Sequence, residues 1–137
     1  METLSIGQLA KKAEVNIQTV RYYERRGLLP DPPRRESGYR QYSLSDLARL
    51  RFIKHAKELG FSLRETMELL TLRVDPNTTC TNVKKRAEAK LVDVEDKILA
   101  LQRIKEALTH LVGLCRGRGP TSECPILEAL EATNQNF

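Results

Sequence analysis

No stretch of this chain approaches the roughly 20 consecutive apolar residues that a membrane-spanning helix needs. The opening, METLSIGQLAKK, has no apolar core of the kind a secretory signal carries. Both absences point to a cytoplasmic protein with no membrane partner. Cysteine is scarce and odd in number, at three, which excludes a closed disulfide framework; in a reducing compartment such thiols stay free and available as ligands. Histidine is scarcer still: His55 and His110 are the only two, and both fall on helical segments as surface or interface residues. There is no internal repeat and no low-complexity tract. Nor is there a nucleophile–base pair or a carboxylate constellation of the kind a catalytic cleft requires, so the chain does not read as an enzyme.

What is present is distributed unevenly. Fourteen of the 23 Lys and Arg and nine of the 18 Asp and Glu lie in residues 1–73, so the whole net charge of +5 sits there and residues 74–137 are neutral. A basic half, rich in Arg, suits phosphate oxygens and guanine edges. Joined to a neutral half, it suggests a polyanion-binding domain with an extension.

Along the basic half, Ser5 caps a short helix bearing Ile6, Leu9, Ala10 and Ala13 at spacings of three and four. Glu14-Val15-Asn16 breaks it, and Asn16 caps a second helix from Ile17 to about Arg26, with Val20, Tyr23 and Ile17 facing inward. Gly27 stops that helix, and Pro30, Pro32 and Pro33 forbid its continuation. Two short helices joined by a tight turn predict a helix-turn-helix, whose second helix enters the major groove of duplex DNA. The run Arg34-Arg35-Glu36-Ser37-Gly38-Tyr39-Arg40-Gln41-Tyr42 combines a turn signal with period-two alternation and predicts a small hairpin, or wing. Ser43 and Asp46 then form a capping box for a helix with Leu47, Leu50, Phe52, Ile53 and Ala56 on its apolar face. Ser62 and Glu65 form another, for a helix carrying Met67, Leu69, Leu70 and Leu72. Asp75-Pro76-Asn77 closes this half.

From Cys80 to Gly113 no proline and no internal glycine interrupts the chain. Ala87, Leu91, Val94, Ile98 and Leu101 recur at 4-3-4-3 spacing, and Ile104, Leu108 and Leu111 continue at 3-4-3. This is a coiled-coil seam of about 30 residues, or about 45 Å. Little remaining sequence is left to cover it, so a second copy of the chain is the expected partner. A Gly-rich loop follows, then Thr121-Ser122-Glu123-Cys124, with Pro125 opening a short last helix. Cys80 thus lies at the start of the long helix, and Cys115 and Cys124 bracket a loop beyond its end. Within one chain they are too far apart to share an ion. In an antiparallel dimer, Cys80 of one subunit meets Cys115 and Cys124 of the other, giving two three-thiolate centres that span the interface.

Ser5-Ile6-Gly7-Gln8-Leu9-Ala10, the run from Thr19 to Leu29 (TVRYYERRGLL), Gly38-Tyr39-Arg40-Gln41-Tyr42, Leu50-Arg51-Phe52-Ile53-Lys54 and Leu59-Gly60-Phe61-Ser62-Leu63 together resemble the MerR family of bacterial regulators over nearly the whole chain. The placement of Cys80, Cys115 and Cys124-Pro125 resembles its metal-sensing branch, most of all the mercury-responsive members. The resemblance implies a mainly α fold in three parts: a winged helix-turn-helix DNA-binding domain with its supporting helix pair (1–75), an antiparallel coiled-coil dimerisation helix (76–113), and a metal-binding loop with a short C-terminal helix (114–137). It further implies a homodimer seated on promoter DNA that distorts the duplex when metal binds, so that RNA polymerase can engage. Matching positions put Asn16, Gln18, Thr19, Arg21 and Tyr22 on the recognition helix and Arg35, Gly38, Tyr39 and Arg40 on the wing; Tyr23 and Tyr42 are assigned to packing.

Relatives sensing monovalent metals resemble this chain less, since they generally carry Ser where Cys80 stands. Zinc-sensing relatives usually add a Cys and a His in the loop, and residues 116–123 contain no His. Three thiolates suit trigonal Hg(II) best and Pb(II) acceptably, whereas zinc prefers four ligands, with Glu123 or water the nearby completion. Against this, residues 73–80 and 126–131 look more like the zinc sensors. Hg(II) is therefore the expected inducer, with Zn(II), Pb(II) and Cd(II) as alternatives. A thiol redox sensor is a further alternative, although iron–sulfur members of the family need four closely spaced cysteines.

Overall fold

The computed structural model describes residues 3–30, 32 and 40–132. Among these are six α-helices: α1 (Ile6–Ala13), α2 (Ile17–Arg25), α3 (Leu44–Glu58), α4 (Leu63–Val74), α5 (Cys80–Leu114) and α6 (Pro125–Glu131), with a single 3-10 turn at Thr121–Glu123 before α6. No regular strand occurs among the described residues; an isolated bridge joins Leu4 to Tyr42 in antiparallel sense. The chain falls into two compact units, Met1–Ala87 and Glu88–Phe137.

The first unit is organised by its caps. Ser5, Ser43 and Ser62 each accept a hydrogen bond from the backbone N–H three residues on. The Gln8, Asp46 and Glu65 side chains return one from the cap N–H. Each box satisfies two of the donors that a helix start leaves unpaired, which fixes where α1, α3 and α4 begin. Between α1 and α2 the chain reverses at Glu14, which takes a left-handed conformation (φ 58°) while its N–H donates to Lys11 O and that of Val15 to Ala10 O. Left-handed backbone favours glycine, so Glu14 carries a modest strain that the two hydrogen bonds offset.

With α1 packed on both α2 and α3, and α3 on α4, one core forms from Leu9, Ala10, Ala13, Val20, Tyr23, Leu47, Leu50, Ile53 and Leu70. Leu28 and Leu29 enter it after α2, and Leu4 and Tyr42 enter it through their bridge. Ile17, expected to face inward, is 38% exposed; it lies on the first turn of α2, at the rim of that core.

Tyr42 is only 1% exposed, and its hydroxyl donates to Glu24 Oε1. Arg40 Nη1 donates to the other carboxylate oxygen of Glu24 at 2.5 Å, and the Glu24 side chain is itself 8% exposed. One carboxylate on α2 therefore holds two donors from the segment that leads into α3.

The second unit contains most of α5. Leu91, Ile98, Leu101, Ile104 and Leu108, five of the seam residues, are 49–63% exposed in the single chain. Leu111 departs from the seam pattern by being buried. Ahead of α5, the Asp75 carboxylate accepts from Asn77 N–H and from the Thr78 hydroxyl. These two donors, the backbone one foremost, hold the Asp75 carboxyl below its usual range. Arg86 pairs with Glu68, tying the first turns of α5 to α4. No described helix is long and apolar enough to cross a membrane.

Burial and then the hydrogen bond to Glu24 push the Tyr42 phenol up to about 12, against the opposing effect of Arg40. A phenol whose folded pKa exceeds its unfolded value near 10 contributes stability that is complete below pH ~10 and is lost as pH climbs toward 12. Tyr42→Phe removes this contribution and leaves the buried carboxylate one donor short, so we expect a loss of about 1–3 kcal/mol at neutral pH. Urea denaturation of both proteins from pH 7 to 11 checks this. The difference between them must shrink above pH 10.

Candidate nucleic-acid interface and metal centre

On α2, sequence and geometry place a polar surface opposite the core-facing Val20 and Tyr23. Asn16, Gln18, Arg21 and Tyr22 are exposed and Thr19 is half-buried. Asn16 is the N-cap: its Oδ1 accepts from Thr19 N–H at 2.7 Å and from the Thr19 hydroxyl at 2.8 Å. The cap thus engages Asn16 through its carbonyl oxygen, so the group it can offer a partner molecule is its amide nitrogen. The Tyr22 and Tyr23 rings lie 5.8 Å apart at 51°, one ring exposed and the other in the core. Burial, followed by the neighbouring Tyr22, raises the Tyr23 phenol above its usual range.

Of the four residues expected on the wing, Arg35, Gly38 and Tyr39 lie outside the described residues. Arg40 is described and is bound to Glu24. Arg21, Glu24, Arg25 and Arg40 line a concavity of about 400 Å³ that opens to solvent. Sequence reasoning missed Glu24. The signal was there: a carboxylate one residue after inward-facing Tyr23, in a run of arginines, must find donors if any of it is buried.

The three cysteines are all free thiols; Cys80 is exposed and Cys115 and Cys124 are half-buried. Cys80 is the first residue of α5, and Cys115 follows its last. Gly117 and Gly119 take positive φ, 76° and 99°. That lets the chain fold back so that Gly117 N–H donates to Cys115 Sγ at 3.3 Å. Cys124 is the N-cap of α6, with Pro125 next, and its own N–H is taken by Thr121 O. No group of three His, Cys, Asp or Glu is close enough to hold an ion within the described residues of one chain. Sulfur-only donors, one from the start of α5 and two from the loop, suit a soft cation. His110 and Glu123 are both exposed.

The Asn16 cap is open to a direct check: Asn16→Ala should cost about 1 kcal/mol in stability, while Asn16→Ser, which keeps a capping oxygen, should cost a few tenths at most. Thermal or urea unfolding of the two variants distinguishes a cap from an unengaged surface residue.

Known proteins share this organisation. Residues 4–72 match the family described as "MerR HTH family regulatory protein", and residues 47–111 that described as "MerR, DNA binding". The mercuric resistance operon regulatory protein of Serratia marcescens is 42% identical over 98% of this chain and 92% of its own length. The HTH-type transcriptional regulator ZntR of Escherichia coli K12 is 46% identical over 92% of this chain and 91% of its own. Among solved structures, the transcription regulator PbrR691 of Ralstonia metallidurans CH34, in complex with lead(II), superposes with a TM-score of 0.81 at 38% identity. That match covers 93% of this chain and 98% of PbrR691. With its helix-turn-helix half matched throughout and similarity of this order along its length, the chain belongs to the MerR family of helix-turn-helix regulatory proteins.

Proposed function

We propose that this protein is a metal-responsive transcriptional regulator that binds promoter DNA as a homodimer and takes Hg(II) as its inducer. Residues 1–75 read DNA, residues 76–113 make the dimer, and residues 114–137 sense metal. The carrying observation is the disposition of the three free thiols: one opens α5 and two lie in the loop that follows it. A second copy running antiparallel along α5 brings Cys80 of one subunit to Cys115 and Cys124 of the other. Each of the two equivalent centres then has three thiolates and an ion that belongs to neither subunit alone. Metal binding there ties the subunits in one relative arrangement. The two reading heads, each presenting Asn16, Gln18, Thr19, Arg21, Tyr22 and the wing residues Arg35, Gly38, Tyr39 and Arg40, are thereby set on the duplex. Distortion of the promoter in that arrangement lets RNA polymerase engage, and a metal-resistance promoter is activated.

Mercury is favoured by the donor set, three sulfurs and no loop histidine. A specific observation favours zinc: the 46% identity to ZntR exceeds the 42% to the mercuric regulator. Lead is the ion in PbrR691, and cadmium shares the same soft chemistry.

Titrating the reduced protein with Hg(II) should give ultraviolet thiolate-to-metal absorption that saturates at one ion per centre. A large excess of Zn(II) should not displace it, and Cys80→Ser should abolish it. Preferential Zn(II) binding with two ions per centre would transfer the reading to zinc. The cross-subunit geometry is tested by mixing. A subunit with Cys80→Ser and a subunit with Cys115→Ser and Cys124→Ser should each bind no Hg(II) as homodimers, yet restore one centre of the two when combined. No restored centre sinks the antiparallel arrangement.

A further inference from the structure

We propose that Glu24 is the positioning residue of a seat for one backbone phosphate of duplex DNA, formed by Arg21, Arg25 and Arg40; this rests on the reading of α2 as a DNA-contacting helix. Positions 21, 24 and 25 fall on one face of α2 at spacings of three and four. Arg40 arrives from the following segment, and the four side chains enclose a solvent-open concavity of about 400 Å³. Three guanidinium groups against one carboxylate leave a net charge of +2 in the concavity. The carboxylate is turned inward: its side chain is 8% exposed, and its two oxygens are taken by Tyr42 and Arg40. An incoming oxyanion therefore meets guanidinium donors, while the negative charge that would repel it is withdrawn.

Arg40 is held through Nη1 at 2.5 Å with its side chain still 31% exposed, so its guanidinium is tied to α2 and yet faces the concavity. Because Tyr42 is locked in the core, Glu24 fixes the Arg40 segment to α2 before DNA arrives. That makes contacts from the two segments act in one register. Backbone contacts of this kind position a protein on the duplex without reading bases, so an error in their placement is paid in sequence discrimination.

The test separates three roles for Glu24. Wild-type protein first enriches a duplex from a random-sequence pool, and a scrambled duplex of the same composition serves as the non-specific probe. With Glu24→Gln, which keeps shape and removes one negative charge, affinity for the enriched duplex should fall about tenfold or more while that for the scrambled duplex holds or rises. Arg40→Lys, which keeps the charge but not the planar fork, should lose discrimination in the same way with an unchanged salt dependence on the scrambled duplex. Equal losses on both duplexes would reduce Glu24 to a stability residue, and equal gains to a bulk charge; either overturns the proposal. Unchanged discrimination in Glu24→Gln overturns it too. Inorganic phosphate at matched ionic strength should leave duplex affinity unaltered, and competition at millimolar concentration would reassign the seat to a free anion. If wild-type protein enriches no duplex at all, the DNA-binding reading itself fails, an outcome distinct from those above.

Discussion

Water against the apolar face of α5 is the constraint on which the functional reading turns. Leu101, Ile104, Leu108 and Val112 are 53–67% exposed in the single chain, and an open apolar groove of about 420 Å³ runs between them. Each leucine or isoleucine moved from water into a packed interface contributes roughly 1.5–3 kcal/mol. A face of this length is therefore a strong bias toward association, and the 4-3 spacing selects a helix of the same kind as its cover. The proposed metal centre depends on that association: thiols at opposite ends of α5 would meet only where a second copy supplies the missing end.

The reading head depends on a different interaction. The buried carboxylate of Glu24 would be costly alone; with a phenol and a guanidinium on its two oxygens it becomes a fastening between α2 and the chain entering α3. Leu4 and Tyr42 add a backbone exchange, with Leu4 N–H donating to Tyr42 O at 2.7 Å and Tyr42 N–H to Leu4 O at 2.8 Å. Arg49 Nε donates to Leu28 O at 2.5 Å, joining α3 to the end of the α2 loop. Few residues build this unit, and these cross-links let so small a core hold the exposed side chains of α2 in place.

How much of this was legible in the sequence divides by range. The caps at Ser5, Asn16, Ser43 and Ser62 were readable because their chemistry closes within three residues, and the apolar spacing that gave Leu9, Val20, Leu50 and Ile53 is equally local. Ile17 was misplaced because periodicity reports which side of a helix is apolar, not where the core stops. The pairing of Glu24 with Arg40 and Tyr42 spans 16 and 18 residues, and the Leu4 bridge spans more; no periodic pattern encodes either. Leu111 obeyed the seam spacing yet is buried in the single chain, since a heptad pattern cannot distinguish a partner's helix from the chain's own covering. At the candidate metal centre, the residue types and their order were fully legible. The Gly117 N–H on the Cys115 sulfur was not, because it needs the left-handed turn that the two glycines permit.

The same division explains why the two functional surfaces ask for different kinds of precision. Thiolate donors select soft cations as a class, and that much is carried by residue type, so in the proposed metal centre the loop need only present sulfur. A duplex offers the same phosphate at every step, so charge alone cannot discriminate, and residues 1–73 carry all of the chain's net charge of +5. Discrimination must then come from holding a few donors in fixed relation to the bases beside them. A helix that spends one of its nine residues on a buried carboxylate, among arginines that would otherwise bind any polyanion, gives up some raw attraction in return for that fixed relation.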